Sequence, residues 1–121
     1  GKNQIDFYEF DSEKNDHSFF LNLKNNNLTI ENLKTGFFKS IYHADLESNR
    51  LSELSFEMFH QAFDMKYLYL NKNRIEKIEY KTFSNMKLLI KLDLSENLLI
   101  HFHHGTFSKL NNLINLNLSY N

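Results

Sequence analysis

A short pattern of residue types recurs along this chain at a fixed interval. In its clearest copy, Leu92 and Leu94 flank one polar residue, and Asn97 follows after two more polar residues. The same order recurs upstream and downstream, and the interval between successive asparagines is 24 residues each time: Asn49, Asn73, Asn97 and Asn121. A constant period of this length is typical of a solenoid, in which successive coils stack because none can bury its own interior.

The pattern also predicts the shape of each coil. Because Leu92 and Leu94 alternate with Asp93, they are expected to point inward from a short strand. The strands of neighbouring coils then form a parallel sheet on the concave face of an arc. Asn97 is expected to satisfy backbone groups in the turn that follows, so the four asparagines form a ladder. Leu99, Phe102 and Phe107 are expected to return the outer half of the coil to the core.

We therefore predict an α/β-type solenoid with a short-stranded parallel sheet on its concave face and irregular or short helical segments on its convex face. Residues 1–17 are predicted to be an N-terminal cap, and residues 18–121 to be about four and a half repeats. We expect the chain to be the N-terminal portion of a longer array, because an open last coil leaves its leucines uncovered. The predicted units are 18–40, 41–64, 65–88, 89–112 and the truncated 113–121.

Composition excludes several classes of function. The formal net charge of -1 gives no basic surface for nucleic acid. The chain has no Cys, and no apolar run approaches the roughly 20 residues of a membrane-spanning helix, so no membrane insertion is expected within this segment. No catalytic motif or phosphate-binding loop is present, so we expect neither enzymatic activity nor a cofactor.

The repeat resembles the leucine-rich repeat pattern L-x-x-L-x-L-x-x-N-x-L over roughly residues 18–121. Its 24-residue length and returning Phe are similar to the subclass found mostly in extracellular animal proteins. The stretch from Gly36 to Asn49, after an Asn-rich first repeat, resembles the opening of secreted insect leucine-rich repeat immune proteins. This resemblance implies a secreted or cell-surface protein of innate immunity. Its implied partner is another protein, either a complement-like thioester protein or a second leucine-rich repeat chain.

The concave face is the default binding surface of such an arc. Tyrosines are favoured at protein interfaces, because they combine apolar area with a hydroxyl group. An equally weighted alternative is that these residues only keep an exposed sheet soluble. The predicted partner-binding residues are Tyr42, His43, Asp45, Lys66, Tyr67, Tyr69, Lys91 and Asp93.

Three other interpretations remain open. The arc can be a structural or adhesive scaffold that spaces other domains. Imidazoles in the run His101–His104 suit Zn²⁺ or Cu²⁺, with Glu79 as a further ligand, although an exposed histidine run is favoured. Asn27 and Asn117 each begin an N-glycosylation triplet, which would make the protein a glycoprotein.

Overall fold

A computed structural model of the protein describes residues 6–12, 16–33 and 36–121. Its strands follow one another along the chain, with little helix between them. The one α-helix in the described ranges is a single turn, and one 3-10 turn precedes it. The elements are β1 (Asp6–Ser12), β2 (Asp16–Asn22), the 3-10 turn (Ile30–Asn32), β3 (Ile41–Asp45), β4 (Glu53–Leu54), α1 (Phe56–Phe59), β5 (Tyr67–Tyr69), β6 (Lys77–Ile78), β7 (Lys91–Asp93) and β8 (Asn115–Asn117).

The larger sheet has six strands in the order β1-β2-β3-β5-β7-β8. β1 and β2 form an antiparallel hairpin, and every later pairing is parallel. The predicted solenoid with a parallel sheet is confirmed. β2 crosses the predicted boundary between residues 17 and 18, because it pairs with the hairpin strand on one side and with the first regular coil on the other. The division into a cap and repeats stays a prediction.

The register of the sheet keeps equivalent residues side by side. Leu68 pairs with Ala44 on one side and with Leu92 on the other, and all three are fully buried. The flanking residues of each strand are partly exposed on the opposite face. A strand with one buried face requires this alternation, since a shift of one residue would turn every leucine outward.

A second, two-stranded sheet lies on the far side of the coil. In it β4 pairs with β6 in parallel, so Leu54 lies beside Ile78, and both are buried. Phe102, the next residue in this series, was expected in the core, and that expectation is wrong: its side chain is 37% exposed. Leu54 and Ile78 lie side by side in the small sheet, whereas Phe102 belongs to neither of its strands and packs edge-on against Phe107, with 5.0 Å between ring centroids.

Phenylalanine rings fill the outer part of the core. Phe83 is fully buried between Phe59 and Phe107, with centroid distances of 6.1 and 5.8 Å. The series extends to Phe38, whose ring stacks on Phe59 at 5.1 Å. Phe38 was not recognised from the sequence, because it lies 21 residues before Phe59 and therefore falls outside the 24-residue spacing.

The asparagine ladder joins each coil to the one before it. Asn73 donates from Nδ2 to the carbonyl oxygens of Leu46 and Leu70, each at 3.0 Å, and its Oδ1 accepts the Leu51 N–H at 3.0 Å. Asn49 and Asn97 are buried in the same way. Asn121 makes the same bonds, but its side chain is exposed. The buried amides of the ladder are therefore those of Asn49, Asn73 and Asn97. Asn26 is buried in the first coil, and its Nδ2 donates to the Lys24 carbonyl oxygen of its own turn at 3.2 Å.

The residue before each ladder asparagine has a left-handed backbone. This conformation costs an L-residue roughly 1–2 kcal/mol, so the hydrogen bonds of the ladder must hold each turn in place. No glycine relieves the strain at these positions. The residues are Asn25, Ser48, Lys72, Glu96 and Tyr120, with φ between 55° and 60°.

Replacing Asn73 with Ala is expected to lower the free energy of unfolding by about 1–3 kcal/mol, because the buried Leu51 N–H and two carbonyl groups lose their partner. Asn71→Ala is the matched control. The Oδ1 of Asn71 has no hydrogen-bond partner within the described ranges, so loss of this side chain should cost less than about 0.5 kcal/mol. Denaturant midpoints measure both changes, and equal losses would contradict the assigned register.

Phe83→Ala is expected to lower the free energy of unfolding by about 3–5 kcal/mol, since removal of a fully buried ring leaves a cavity between neighbouring coils. Phe63, which is 55% exposed, provides the control, and its change to Ala should cost less than about 1 kcal/mol. Thermal and denaturant unfolding measure the difference. Comparable losses at the two positions would show that the ring series does not hold the coils together.

Candidate protein-binding surface on the concave face

The partly exposed residues of β3, β5 and β7 form rows across the large sheet. In one row His43 pairs with Tyr67, which in turn pairs with Lys91. Tyr42 lies in β3 and Lys66 directly precedes β5, and the two are joined by a 2.8 Å hydrogen bond from the Lys66 N–H to the Tyr42 carbonyl oxygen. Parallel pairing therefore brings residues that are far apart in the sequence to one face.

Four of these side chains make ring contacts, and we call Tyr42, His43, Tyr67 and Tyr69 the aromatic cluster. The His43 ring lies 5.6 Å from Tyr67 and 5.2 Å from Tyr69, between centroids. Tyr42 meets Tyr67 edge-on at 5.5 Å. All four are partly exposed, so they present ring area that a partner can cover.

Two lysines lie over rings of the aromatic cluster. Lys66 Nζ is 5.1 Å from the centroid of Tyr42, and Lys91 Nζ is 5.0 Å from that of Tyr69. Ammonium groups at this distance are attracted to the faces of the rings. The predicted site residues Lys66 and Lys91 therefore lie against the aromatic cluster, and the face combines apolar ring area with positive charge.

His43 is a partly buried titratable group of the cluster, with the Phe20 ring only 4.1 Å away. Burial lowers the pKa of His43 below its ordinary value of 6.5, the charge of Asp45 opposes this shift and that of Lys91 adds to it. The imidazole is therefore mostly neutral at pH 7. At that pH the positive charge beside the aromatic cluster comes from Lys66 and Lys91.

The structure gives Asp45 and Asp93 a structural role that sequence reasoning missed. Each lies at the end of a strand, and its Oδ1 accepts the backbone N–H two residues later at 3.0 Å, from Glu47 and from Ser95. Asp93 also accepts the Ser95 hydroxyl at 2.6 Å. The recurrence of Asn or Asp at this position was a readable signal, because such residues stabilise turns in this way. Their predicted contact with a partner stays a prediction.

An ion-pair network borders the cluster. Glu47 lies 2.9 Å from Lys24 Nζ and 3.5 Å from Lys72 Nζ. Burial alone would raise the pKa of Glu47, but the two ammonium groups outweigh it and hold that pKa below its usual value. These three side chains tie neighbouring turns together at the edge of the concave face.

The isoleucines of the same register show different environments. Ile90 and Ile114 lie one repeat apart at the same position of the coil. Ile90 is partly covered, whereas Ile114 is 86% exposed.

The histidine run lies away from the concave cluster. The His103 ring stacks on that of His104 at 4.3 Å and lies tilted by 55° against that of Tyr80 at 4.2 Å, and its Nδ1 accepts the Gly105 N–H at 3.0 Å. Within residues 6–12, 16–33 and 36–121, no three His, Cys, Asp or Glu side chains are grouped to hold a metal ion. The geometry of the described residues therefore offers no support for the predicted metal alternative.

The two glycosylation triplets differ in accessibility. Asn27 is exposed after the first turn. Asn117 is partly buried, and its Oδ1 accepts both the N–H and the hydroxyl of Ser119, the third residue of its own triplet. Of the two, Asn27 is the more accessible acceptor.

No helix in the described part of the chain has the length and apolar character needed to cross a bilayer.

Comparison with known proteins supports the same fold. The family model described as "Leucine rich repeat" matches residues 39–99 and 63–121, which together cover more than half of the chain. No curated protein matches the chain. Among solved structures, it resembles one described as the Toll–Spatzle complex, a molecular hub in Drosophila development and innate immunity. The similarity has a TM-score of 0.68 and 24% sequence identity, and it covers 74% of this chain.

The same similarity covers 12% of the solved chain, so this chain spans a small part of that protein's length. At this level of identity the likeness concerns the fold. The family match, the 24-residue period and the asparagine ladder agree with one another. The chain belongs to the leucine-rich repeat family.

Proposed function

We propose that this chain is a non-enzymatic protein-recognition module that binds its partner through the aromatic cluster and the lysines beside it. The observation that carries the proposal is the convergence of four ring-bearing residues from β3 and β5 with Lys66 and Lys91 on one partly exposed face. Tyrosines in such a setting are frequent energetic anchors of interfaces. The fully buried leucines behind them hold the rings in place without being part of the surface.

The rigidity of this face also favours recognition. The rings are borne by short strands, the strands are locked by parallel pairing, and the asparagine ladder fixes the turn after each strand. A surface organised before binding loses less conformational entropy when it meets a partner. The cluster therefore has both the side chains and the support that a protein-binding surface needs.

We further propose that the protein is secreted or cell-surface and acts in innate immunity, as its resemblance to insect immune proteins implies. The exposed Asn27 triplet is compatible with an extracellular glycoprotein. The proposed partner is a protein, either a complement-like thioester protein or a second leucine-rich repeat chain. A purely structural or adhesive scaffold is the competing function, and it predicts that the aromatic cluster can be removed without loss of binding.

The double change Tyr67→Ala, Tyr69→Ala is expected to abolish partner capture while leaving the fold intact, because neither ring belongs to the buried core. Truncation of an interface tyrosine often costs more than about 2 kcal/mol, roughly 30-fold in affinity. The measurement is a pull-down from the organism's extracellular fluid at pH 7.5, where His43 is mostly neutral, with the captured proteins identified by mass spectrometry. Circular dichroism checks that the fold is retained.

The control is Glu79→Ala with Lys81→Ala on the outer side, where both residues are exposed. This variant should capture the same partner as the parent. Capture that survives the concave change but fails after the outer change would place the binding surface on the opposite side of the arc. Unchanged capture by both variants would favour the scaffold function.

A further inference from the structure

A cavity of about 230 Å³ opens on the outer side of the arc, between two neighbouring coils, and we call it the outer pocket. Its lining residues come from the segments 80–84 and 105–109. Four of the lining side chains carry a hydroxyl group, two carry an ammonium group, and none carries a carboxylate. The outer pocket therefore offers a chemistry that the proposed function of the concave face does not use.

Thr106 contributes a buried hydroxyl group to the wall of the outer pocket. Its side chain is only 4% exposed, and its Oγ1 has no hydrogen-bond partner within residues 6–12, 16–33 and 36–121. Buried polar groups in folded proteins nearly always have a partner. An orphaned hydroxyl group beside a cavity therefore indicates that a group held in the cavity completes its hydrogen bonding.

The equivalent residue of the preceding coil uses its hydroxyl group differently. Thr82 lies 24 residues earlier, and its Oγ1 is 2.7 Å from the Glu79 carbonyl oxygen and 3.2 Å from that of Leu54. The two backbones agree, because each threonine N–H donates at 3.0 Å to the carbonyl oxygen three residues earlier. Only the hydroxyl groups differ. The fold uses the hydroxyl of Thr82 and leaves that of Thr106 to the pocket.

Gly105 allows a tyrosine to form another wall of the outer pocket. A Cβ atom on Gly105 would lie 2.9 Å from Cε2 of Tyr80 and 3.3 Å from its hydroxyl oxygen, so a larger residue would displace the ring. The His103 ring packs on Tyr80 with 4.2 Å between centroids and helps to hold it in place. A phenol hydroxyl can donate to an oxygen ligand, as the hydroxyl of Thr106 can.

Both lysines of the outer pocket can meet an anion. The ion pairs within the described ranges belong to Glu47, and neither Lys81 nor Lys109 has a carboxylate within pairing distance there. Glu79 lies two residues before Lys81 and Glu57 lies one repeat before it, but each of these carboxylates lines a different cavity. The outer pocket thus carries two positive charges without a matching negative charge in its wall.

We propose that the outer pocket binds a phosphate or sulfate group of a ligand. The ammonium groups of Lys81 and Lys109 pair with the oxygens of this group, and the hydroxyl groups of Thr106 and Tyr80 donate to them. Hydrogen bonds between ionised groups of this kind are the stronger ones in proteins. The site lies apart from the aromatic cluster, so this inference goes beyond the proposed function.

The inventory of donors favours a tetrahedral oxyanion over a carboxylate. A phosphate ester carries a charge of about −1.5 to −2 at pH 7 and three strong acceptor oxygens, which matches two ammonium groups and two hydroxyl donors. A carboxylate brings one charge and two oxygens. Ser84 and Ser108 are not counted as donors, because each already donates to a backbone carbonyl oxygen at 2.8 Å. The volume of the pocket is below the roughly 300 Å³ of the smallest drug-sized sites, so it suits one small group.

The first measurement is an NMR titration of the full chain with sodium phosphate at pH 7.5, using sodium chloride at equal ionic strength as the reference. The Gly105 and Thr106 amides should show saturable shifts with phosphate and none with chloride. The double change Lys81→Gln, Lys109→Gln should weaken phosphate binding about tenfold or more, because two charged donors are lost. Shifts that do not saturate, or that chloride reproduces, would overturn the inference.

The matched control removes the same charge outside the pocket. Lys77→Gln with Lys87→Gln changes two exposed lysines that do not line the outer pocket. Phosphate affinity in this variant should stay within about twofold of the parent, since exposed charges at a distance are screened by salt. An equal loss in both double variants would show that phosphate senses only the net charge, which contradicts a specific site.

The two threonines provide a second test with opposite expectations. Thr106→Val should weaken phosphate binding about threefold to tenfold and leave the denaturant midpoint unlowered, because its hydroxyl makes no bond in the free chain. Thr82→Val should lower the midpoint, because the hydroxyl that it removes is bonded within the fold, and should leave phosphate affinity unchanged. Phosphate binding that is insensitive to Thr106→Val would contradict the proposed role of this hydroxyl.

Sodium sulfate and sodium acetate complete the titration series. Tighter binding of phosphate than of sulfate indicates a phosphorylated ligand, and the reverse order indicates a sulfated one. Acetate should bind more weakly than either, because it brings fewer acceptor oxygens and one charge. Acetate that binds as tightly as both would overturn the assignment of a tetrahedral oxyanion.

The partner-capture variants separate this inference from the proposed function. The outer variant Glu79→Ala, Lys81→Ala should bind phosphate more weakly than the parent and still capture the partner, because the two sites lie on different sides of the coil. The concave variant Tyr67→Ala, Tyr69→Ala should bind phosphate as the parent does, whatever happens to capture. Loss of phosphate binding in the folded concave variant would overturn the placement of the oxyanion in the outer pocket.

Discussion

The bridge made by each asparagine amide between two coils is the interaction on which the rest of this structure depends. A single side chain, such as that of Asn73, accepts the N–H of Leu51 in the preceding coil and donates to carbonyl groups of both coils. No other side chain of that size offers a donor pair and an acceptor at the required angle. With this bridge formed, the turn tolerates a residue with a left-handed backbone, such as Lys72, and each strand pairs in register with the next.

Register then determines what each side of the coil can do. Because Ala44, Leu68 and Leu92 are aligned and buried, the residues beside them are aligned and accessible on the opposite face. On the outer side, the phenylalanine rings keep the coils apart through non-directional packing and not through hydrogen bonds. Such packing tolerates the irregular sequence spacing of Phe38. A stiff scaffold of this kind places variable side chains at fixed positions, and function can reside in those side chains.

The candidate surface is best understood through the places where the repetition fails. Asp45 and Asp93 were predicted from the sequence to bind a partner, and in the structure each accepts a backbone N–H in the turn that follows it. Tyr69 occupies the equivalent position without that role, and it contacts His43 while Lys91 lies over its ring. Comparison among coils of one chain thus separates residues that maintain the fold from residues that the fold leaves available.

Much of this architecture was determined by the sequence alone. The 24-residue period specified the solenoid, the alternation around Leu92 specified the strand, and the spacing of Asn73 specified the ladder, because each depends on contacts between equivalent positions. The grouping of Tyr67 and Tyr69 with residues of adjacent strands followed from the same register.

Features at the ends and between coils were decided only by the tertiary structure. The pairing of β1 with β2, the small sheet of β4 and β6, the exposure of Phe102 and the turn roles of Asp45 and Asp93 all depend on which neighbour is present. A repeating pattern describes what a residue meets in an average coil. Burial and hydrogen bonding depend on the particular coils on either side of that residue, and these coils differ from one another along the chain.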